Sequence, residues 1–182
     1  MKKILIILFL SLVTLLPGCE KTYNTPTSKV SSFFNNYKQL KKNLLEEMNL
    51  AIKKDNSKSN FEKNIYKKLL IKQYKDIDYK IKSEKIRKNN AYVEVEIEVY
   101  DYERENYYSK KYFLENLNKF NIKENENIEE NKKYKNYKLL QLIKTKKRKK
   151  YNIVLNLVKE NNIWKLLNIK QEDLKKIHGF SN

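Results

Sequence analysis

The sequence predicts an α+β fold in which N-terminal helices pack on an antiparallel sheet. Three observations carry this. Val30, Phe33, Phe34, Tyr37, Leu40, Leu44, Leu45, Met48, Ala51 and Ile52 recur at three and four residues, the apolar stripe of a helix. In "AYVEVEIEVYDY", residues 91–102, the period changes to two. Ala91, Val93, Val95, Ile97 and Val99 then share one face, and Glu94, Glu96 and Glu98 the other. Glu160-Asn161-Asn162 joins two more strand-like runs, and asparagine tolerates the positive φ of a tight hairpin turn.

The elements follow in order. Ser28 is the expected N-cap of a first helix running through Ile52. Asp55-Asn56-Ser57 breaks it, and Phe61, Ile65, Leu69 and Tyr74 mark a second helix. Ile77, Tyr79 and Ile81 begin the sheet, with a turn at Lys88-Asn89-Asn90 before the long strand. Tyr108, Tyr112, Phe113, Leu117 and Phe120 predict a short third helix, and polar Asn121 to Asn131 a loop. Tyr137 to Thr145 reads as a strand. Lys146, Lys147, Arg148, Lys149 and Lys150 then form the expected tip of a hairpin. Strands over Tyr151 to Lys159 and Ile163 to Ile169 follow, the latter carrying the only tryptophan, Trp164. A last helix, Gln171 to Ile177, stops at His178-Gly179 with glycine as the residue past the cap. The glutamates of the central strand are expected opposite lysines, since alternate residues about 7 Å apart converge poorly on one cation.

The N-terminus is an address. Lys2 and Lys3 precede Ile4 to Leu16, thirteen residues that are apolar except for Ser11 and Thr14. As a helix this run spans only about 20 Å, short of a hydrocarbon core of about 30 Å. Leu16-Pro17-Gly18-Cys19 resembles the lipobox of bacterial lipoproteins, with Pro17 where a small residue is more usual. The resemblance implies cleavage before Cys19 and a diacylglycerol thioether on it. Residues 1–18 are then a lipoprotein signal peptide, 19–28 a lipidated tether, and 29–179 a single α+β domain. The expected location is the extracytoplasmic face of the cell membrane. Cys19 is the only cysteine, so no disulfide forms within the chain and its core must supply its stability.

The whole chain has a formal net charge of +18. Without Lys2 and Lys3, 38 basic groups face 22 acidic ones, leaving +16. Such a balance suits nucleic acid or an anionic surface. Export argues against nucleic acid, and so does arginine usage. Only Arg87, Arg104 and Arg148 supply the bidentate chemistry that phosphate and base recognition favours. Lys, Asn, Ile and Tyr all have AT-rich codons, so composition itself is one source of the charge. The run 146–150 reads first as a solvated basic turn that keeps a sheet edge from pairing, and a contact of these five residues with anionic lipids or wall polymers is the functional alternative.

The element order, together with "VKENNIWKLLNIKQEDLKKIHG" at 158–179 and the central strand, resembles the nuclear-transport-factor-2-like superfamily. It is similar in particular to lipoproteins of that type from low-GC Gram-positive bacteria. The resemblance covers about 30–179 and implies a cone-shaped fold with a curved sheet wrapped on the first helix. That fold hosts isomerases, dehydratases and binding modules, so it speaks to architecture before activity.

No catalytic residue and no cofactor is assigned from the sequence. His178, the one histidine, is expected as a solvated helix-end residue. Asp76, Asp78 and Asp101 read as turn or edge residues. Metal-ligand spacing, a phosphate-binding glycine loop and a nucleophile triad are all missing from the sequence. The expected function is a non-catalytic binding or interaction module of the cell envelope, held by lipid on Cys19, with no protein partner named. The alternative is a small-molecule carrier or enzyme that uses the interior of the cone. An interior filled by Phe33, Tyr37, Leu44 and Met48 favours the first, and an open cavity lined by Asp or Tyr the second.

Overall fold

The computed structural model describes residues 24–56, 58–122, 127–128 and 131–180. The signal segment and Cys19 lie outside the described residues. The described elements form an α+β fold of six α-helices and one four-stranded antiparallel sheet. Helix α1 is Pro26–Lys38, α2 Lys42–Lys54 and α3 Asn60–Lys75. Strands β1 (Asp78–Arg87) and β2 (Asn90–Tyr100) follow. A helical excursion comes next, made of α4 (Tyr102–Glu115), a 3-10 turn (Leu117–Phe120) and α5 (Lys132–Lys144). Strands β3 (Arg148–Glu160) and β4 (Ile163–Leu166) and helix α6 (Gln171–Ile177) complete the chain. The sheet order is β1-β2-β3-β4, each pair antiparallel.

The expected single first helix is two helices. Leu40 takes a left-handed φ of 48°. Its N–H donates to Tyr37 O at 3.0 Å, and the Lys41 N–H donates to Asn36 O at 3.0 Å. This is a Schellman stop with leucine in the place glycine usually fills, at a strain of about 1–2 kcal/mol. The first helix also starts earlier than expected. Thr25 is its N-cap, and Ser28 is the reciprocal partner of a capping box. Residues read as tether are therefore bound to the domain. Asn24 accepts from Trp164 N–H at 3.1 Å and donates to Asn162 O. Thr27 donates through N–H to Glu84 Oε2 at 2.9 Å.

The β2 alternation holds. Ala91, Val93, Val95, Ile97 and Val99 are fully buried, and with Ile153, Leu155, Leu157, Val30, Phe34 and Trp164 they form the main core. On the other face Glu96 pairs with Lys82 at 3.1 Å and Lys150 at 3.5 Å, and Glu98 pairs with Arg148 at 3.1 Å. Asn161 and Asn162 both take positive φ, 49° and 63°, in the β3–β4 turn. Helix α6 matches its expected span, and Gly179 follows its cap with φ 80°.

The segment Tyr137 to Thr145, expected as a strand, is the end of helix α5 and its C-cap Thr145. Asn131 caps α5 by accepting from Lys133 N–H at 2.9 Å and Tyr134 N–H at 3.3 Å. Tyr134 and Leu142 then turn inward, two turns apart. The long strand likewise ends at Tyr100, where Asp101 caps α4 and Tyr102 is fully buried as its first residue.

Candidate functional site

Four helices leave a gap beside the main core. Tyr37 comes from the end of α1, and Leu44, Glu47, Met48, Ala51 and Ile52 from α2. Tyr66, Leu70 and Tyr74 come from α3, and Leu174 and His178 from α6 and its cap. Asp55 and Lys58 close the rim. The cavity measures about 320 Å³, at the small end of ligand-binding pockets. The α1–α2 stop at Leu40 makes it, because a continuous helix would carry Leu44 and Met48 away from α3.

The inner wall is aromatic. Tyr37 and Tyr74 meet edge to face with centroids 4.6 Å apart. The Tyr74 hydroxyl lies 3.0 Å from His178 Nε2, and Tyr74 is only 3% exposed. Burial pushes the Tyr37 phenol up to about 12, with Glu47 adding to the shift. Burial pushes Tyr74 higher still and lowers His178 to about 4. Near neutral pH all three groups are uncharged, so the wall offers neutral hydrogen-bonding atoms on an apolar surface. The rim differs. Lys58 is ion-paired with Asp55 and stands 5.5 Å from the centre of the Tyr66 ring, a cation–π contact.

His178 is thus not a solvated helix end. It is half-buried against Tyr74, because Gly179 turns the chain back onto the sheet and draws the imidazole under α3. An added Cβ at Gly179 would lie 2.7 Å from Tyr100 O and 2.9 Å from Tyr102 Cδ2. Gln73 locks this corner by donating to Ile177 O and accepting from Tyr100 N–H, both at 2.9 Å.

The expected basic hairpin tip is corrected as well. Lys146 and Lys147 are an exposed link between α5 and β3, and Arg148, Lys149 and Lys150 are already strand. Arg148 is turned across the sheet edge. Its Nη2 donates to Asp76 O at 2.7 Å and Glu98 O at 2.8 Å. Lys149 pairs with Glu103 at 3.3 Å. Asp76 caps α3, Asp78 begins β1 beside Lys38 at 3.2 Å, and Asp101 caps α4. None of the three lines the cavity. The site residues that sequence reasoning did not single out are Glu47, Lys58, Tyr66, Leu70 and Leu174, and Asp55 was read only as part of a helix break. Tyr74 was read only as a helix face, and its partnership with a residue more than a hundred positions away left no local signal.

An α+β domain with a small, tyrosine-walled cavity beside its core is the class that fold and site define. No protein-family model matches the chain, and no curated protein or solved structure matches it either. Among the described residues, no helix is long and apolar enough to cross a membrane, and no three His, Cys, Asp or Glu side chains gather as a metal site.

Proposed function

We propose that this chain is a membrane-anchored, extracytoplasmic binding module that holds a small, mostly apolar molecule with one neutral hydrogen-bonding group. The observation that carries the reading is the cavity, with its aliphatic floor and the Tyr74–His178 pair at its wall. A ligand hydroxyl or carbonyl would join that pair, and Leu44, Met48, Ile52 and Leu70 would cover its apolar part. The reading is non-catalytic. A phenol held far above neutral pH and an imidazole lowered to about 4 are weak proton-transfer groups at neutral pH but sound neutral donors and acceptors. Lipid on Cys19 supplies the anchor, and the nuclear-transport-factor-2-like cone remains the family proposal for the scaffold. The lipobox resemblance supports the first part, and N-terminal helices packed on an antiparallel sheet support the second.

The test is binding of 2-naphthol, a neutral aromatic alcohol, followed by its own fluorescence. Ala51→Trp fills the mouth of the cavity from the exposed side of α2. Saturable binding to the wild type, lost in Ala51→Trp with unchanged circular dichroism, is the expected result. Equal binding by both proteins, or none by the wild type, overturns the reading. For the anchor, Cys19→Ser should release the protein from membranes. A Ser variant that fractionates like the wild type overturns that part.

A further inference from the structure

The first described residue is fastened to one end of the sheet. Asn24 is hydrogen-bonded to Asn162 O and Trp164 N, at the β3–β4 turn. Thr27 holds Glu84 near the β1–β2 turn. Both turns lie at the same end, since Asn90 pairs with Arg87 and with Val158. Cys19 is five residues upstream of Asn24 and the apolar run ends at Leu16. Five residues reach at most about 17 Å. The strands themselves are about 35 Å long, from the turns to the end where β2 meets α4. A leash this short, attached at the turns, brings that end of the sheet to whatever surface holds the N-terminus.

The chemistry of this end fits such a surface. Ile86 and Ile163 are 52% and 50% exposed. They stand on the two edge strands, Ile86 on the core-side face opposite Ala91 and Ile163 on the other face opposite Glu160, and Lys85, Arg87, Lys88 and Lys165 are exposed at the same end. The acidic groups here are engaged, Glu84 by Thr27 and Glu160 by Lys165 at 2.7 Å. Basic side chains and two isoleucines at one end of a sheet suit the boundary between anionic headgroups and acyl chains. The run 146–150 stands at the opposite end, because Arg148 pairs with Tyr100.

We propose that the turn end of the sheet, led by Ile86, Arg87, Lys88 and Ile163, docks on the anionic lipid surface that holds the N-terminus. This rests on the membrane-anchor part of the proposed function and is independent of the cavity. The occupant is the anionic bilayer, and the short leash makes the encounter intramolecular.

The test places one fluorophore at either end of the full-length, membrane-extracted protein. Lys88→Cys labels the turn end, and Tyr107→Cys, on α4, labels the far end. Both are reconstituted in phosphatidylglycerol and in phosphatidylcholine vesicles carrying headgroup nitroxides. Quenching at 88 well above that at 107, in phosphatidylglycerol and weakened by high salt, is the expected result. Replacing Arg87, Lys85 and Lys165 by Gln in the Lys88→Cys protein should lower the docked-to-free ratio about a hundredfold. Equal quenching at both ends, or stronger quenching at 107, overturns the proposal while leaving the anchor intact. Failure of the anchor is read separately, by flotation of Cys19→Ser with the vesicles to the same extent as wild type. A protein that does not float at all refutes both.

Discussion

Acid should destabilise this protein through its one imidazole. His178 sits against Tyr74, and burial lowers it from 6.5 to about 4. In the unfolded chain it takes up a proton near pH 6.5, while in the fold it resists until about pH 4. The unfolded state therefore binds more protons over that window, and stability falls as pH falls. Above pH 6.5 both states are neutral and the group contributes no pH dependence. Below about 4 the loss is complete, at about 3 kcal/mol from a shift of this size. The assay is urea unfolding at pH 7 and pH 4 for the wild type and His178→Gln, each variant compared with itself. Carboxylates titrate in both proteins, so the wild type should lose about 3 kcal/mol more than the variant. Because the chain has one histidine, a proton NMR titration reads the same group directly. An equal acid loss in both proteins, or an imidazole midpoint near 6.5 in the folded state, would refute the buried Tyr74–His178 pair.

Trp164→Ala should cost about 3–5 kcal/mol, since the ring is 6% exposed in the main core. Indole emission typical of water in the folded wild type would contradict that burial. Gly179→Ala should lower the urea midpoint by at least the equivalent of about 1 kcal/mol, because φ is 80° and the new Cβ meets Tyr100 O at 2.7 Å. An unchanged midpoint would mean that the turn does not seat on the sheet. Arg148→Gln should cost about 2 kcal/mol through its bonds to Asp76 and Glu98, while Lys146→Gln should stay within about 0.5. Equal effects would return the basic run to a uniform solvated turn.

The sheet was legible where one physical constraint acts alone. A strand with one covered face must alternate, and 91–100 alternates without a lapse. Paired asparagines at 161–162 and glycine at 179 announce backbone angles that other residues adopt at a cost. The helix break at Leu40 was hidden because its left-handed residue is a leucine, and the apolar stripe continues across it. Helix α5 was misread for a related reason. Five apolar residues within Tyr137 to Ile143 fit a buried strand as well as a helix face. Asn131, six residues before Tyr137, was the cap that would have decided it. The cavity was half legible. An interior filled by Phe33, Tyr37, Leu44 and Met48 and a cavity lined by Asp or Tyr both fitted the sequence; Tyr37, Leu44 and Met48 are the cavity's wall, because the break at Leu40 turns α2 toward α3. Which side of a helix ends up lining a void depends on the neighbour's placement, and that is a tertiary fact.

Helix α1 links the turn end of the sheet to the cavity. Thr25 and Thr27 fix its start beside the turns, and Tyr37 at its last full turn borders the cavity. Thirteen helical residues set these points about 20 Å apart, and the core that buries Val30 and Phe34 keeps the spacing rigid. With the turn end on a membrane, this helix acts as a stand-off post. The cavity mouth is then held out in the aqueous layer, beyond the headgroups. A solute would arrive from the medium and leave to it, and a molecule dissolved in the bilayer would first have to cross that water gap.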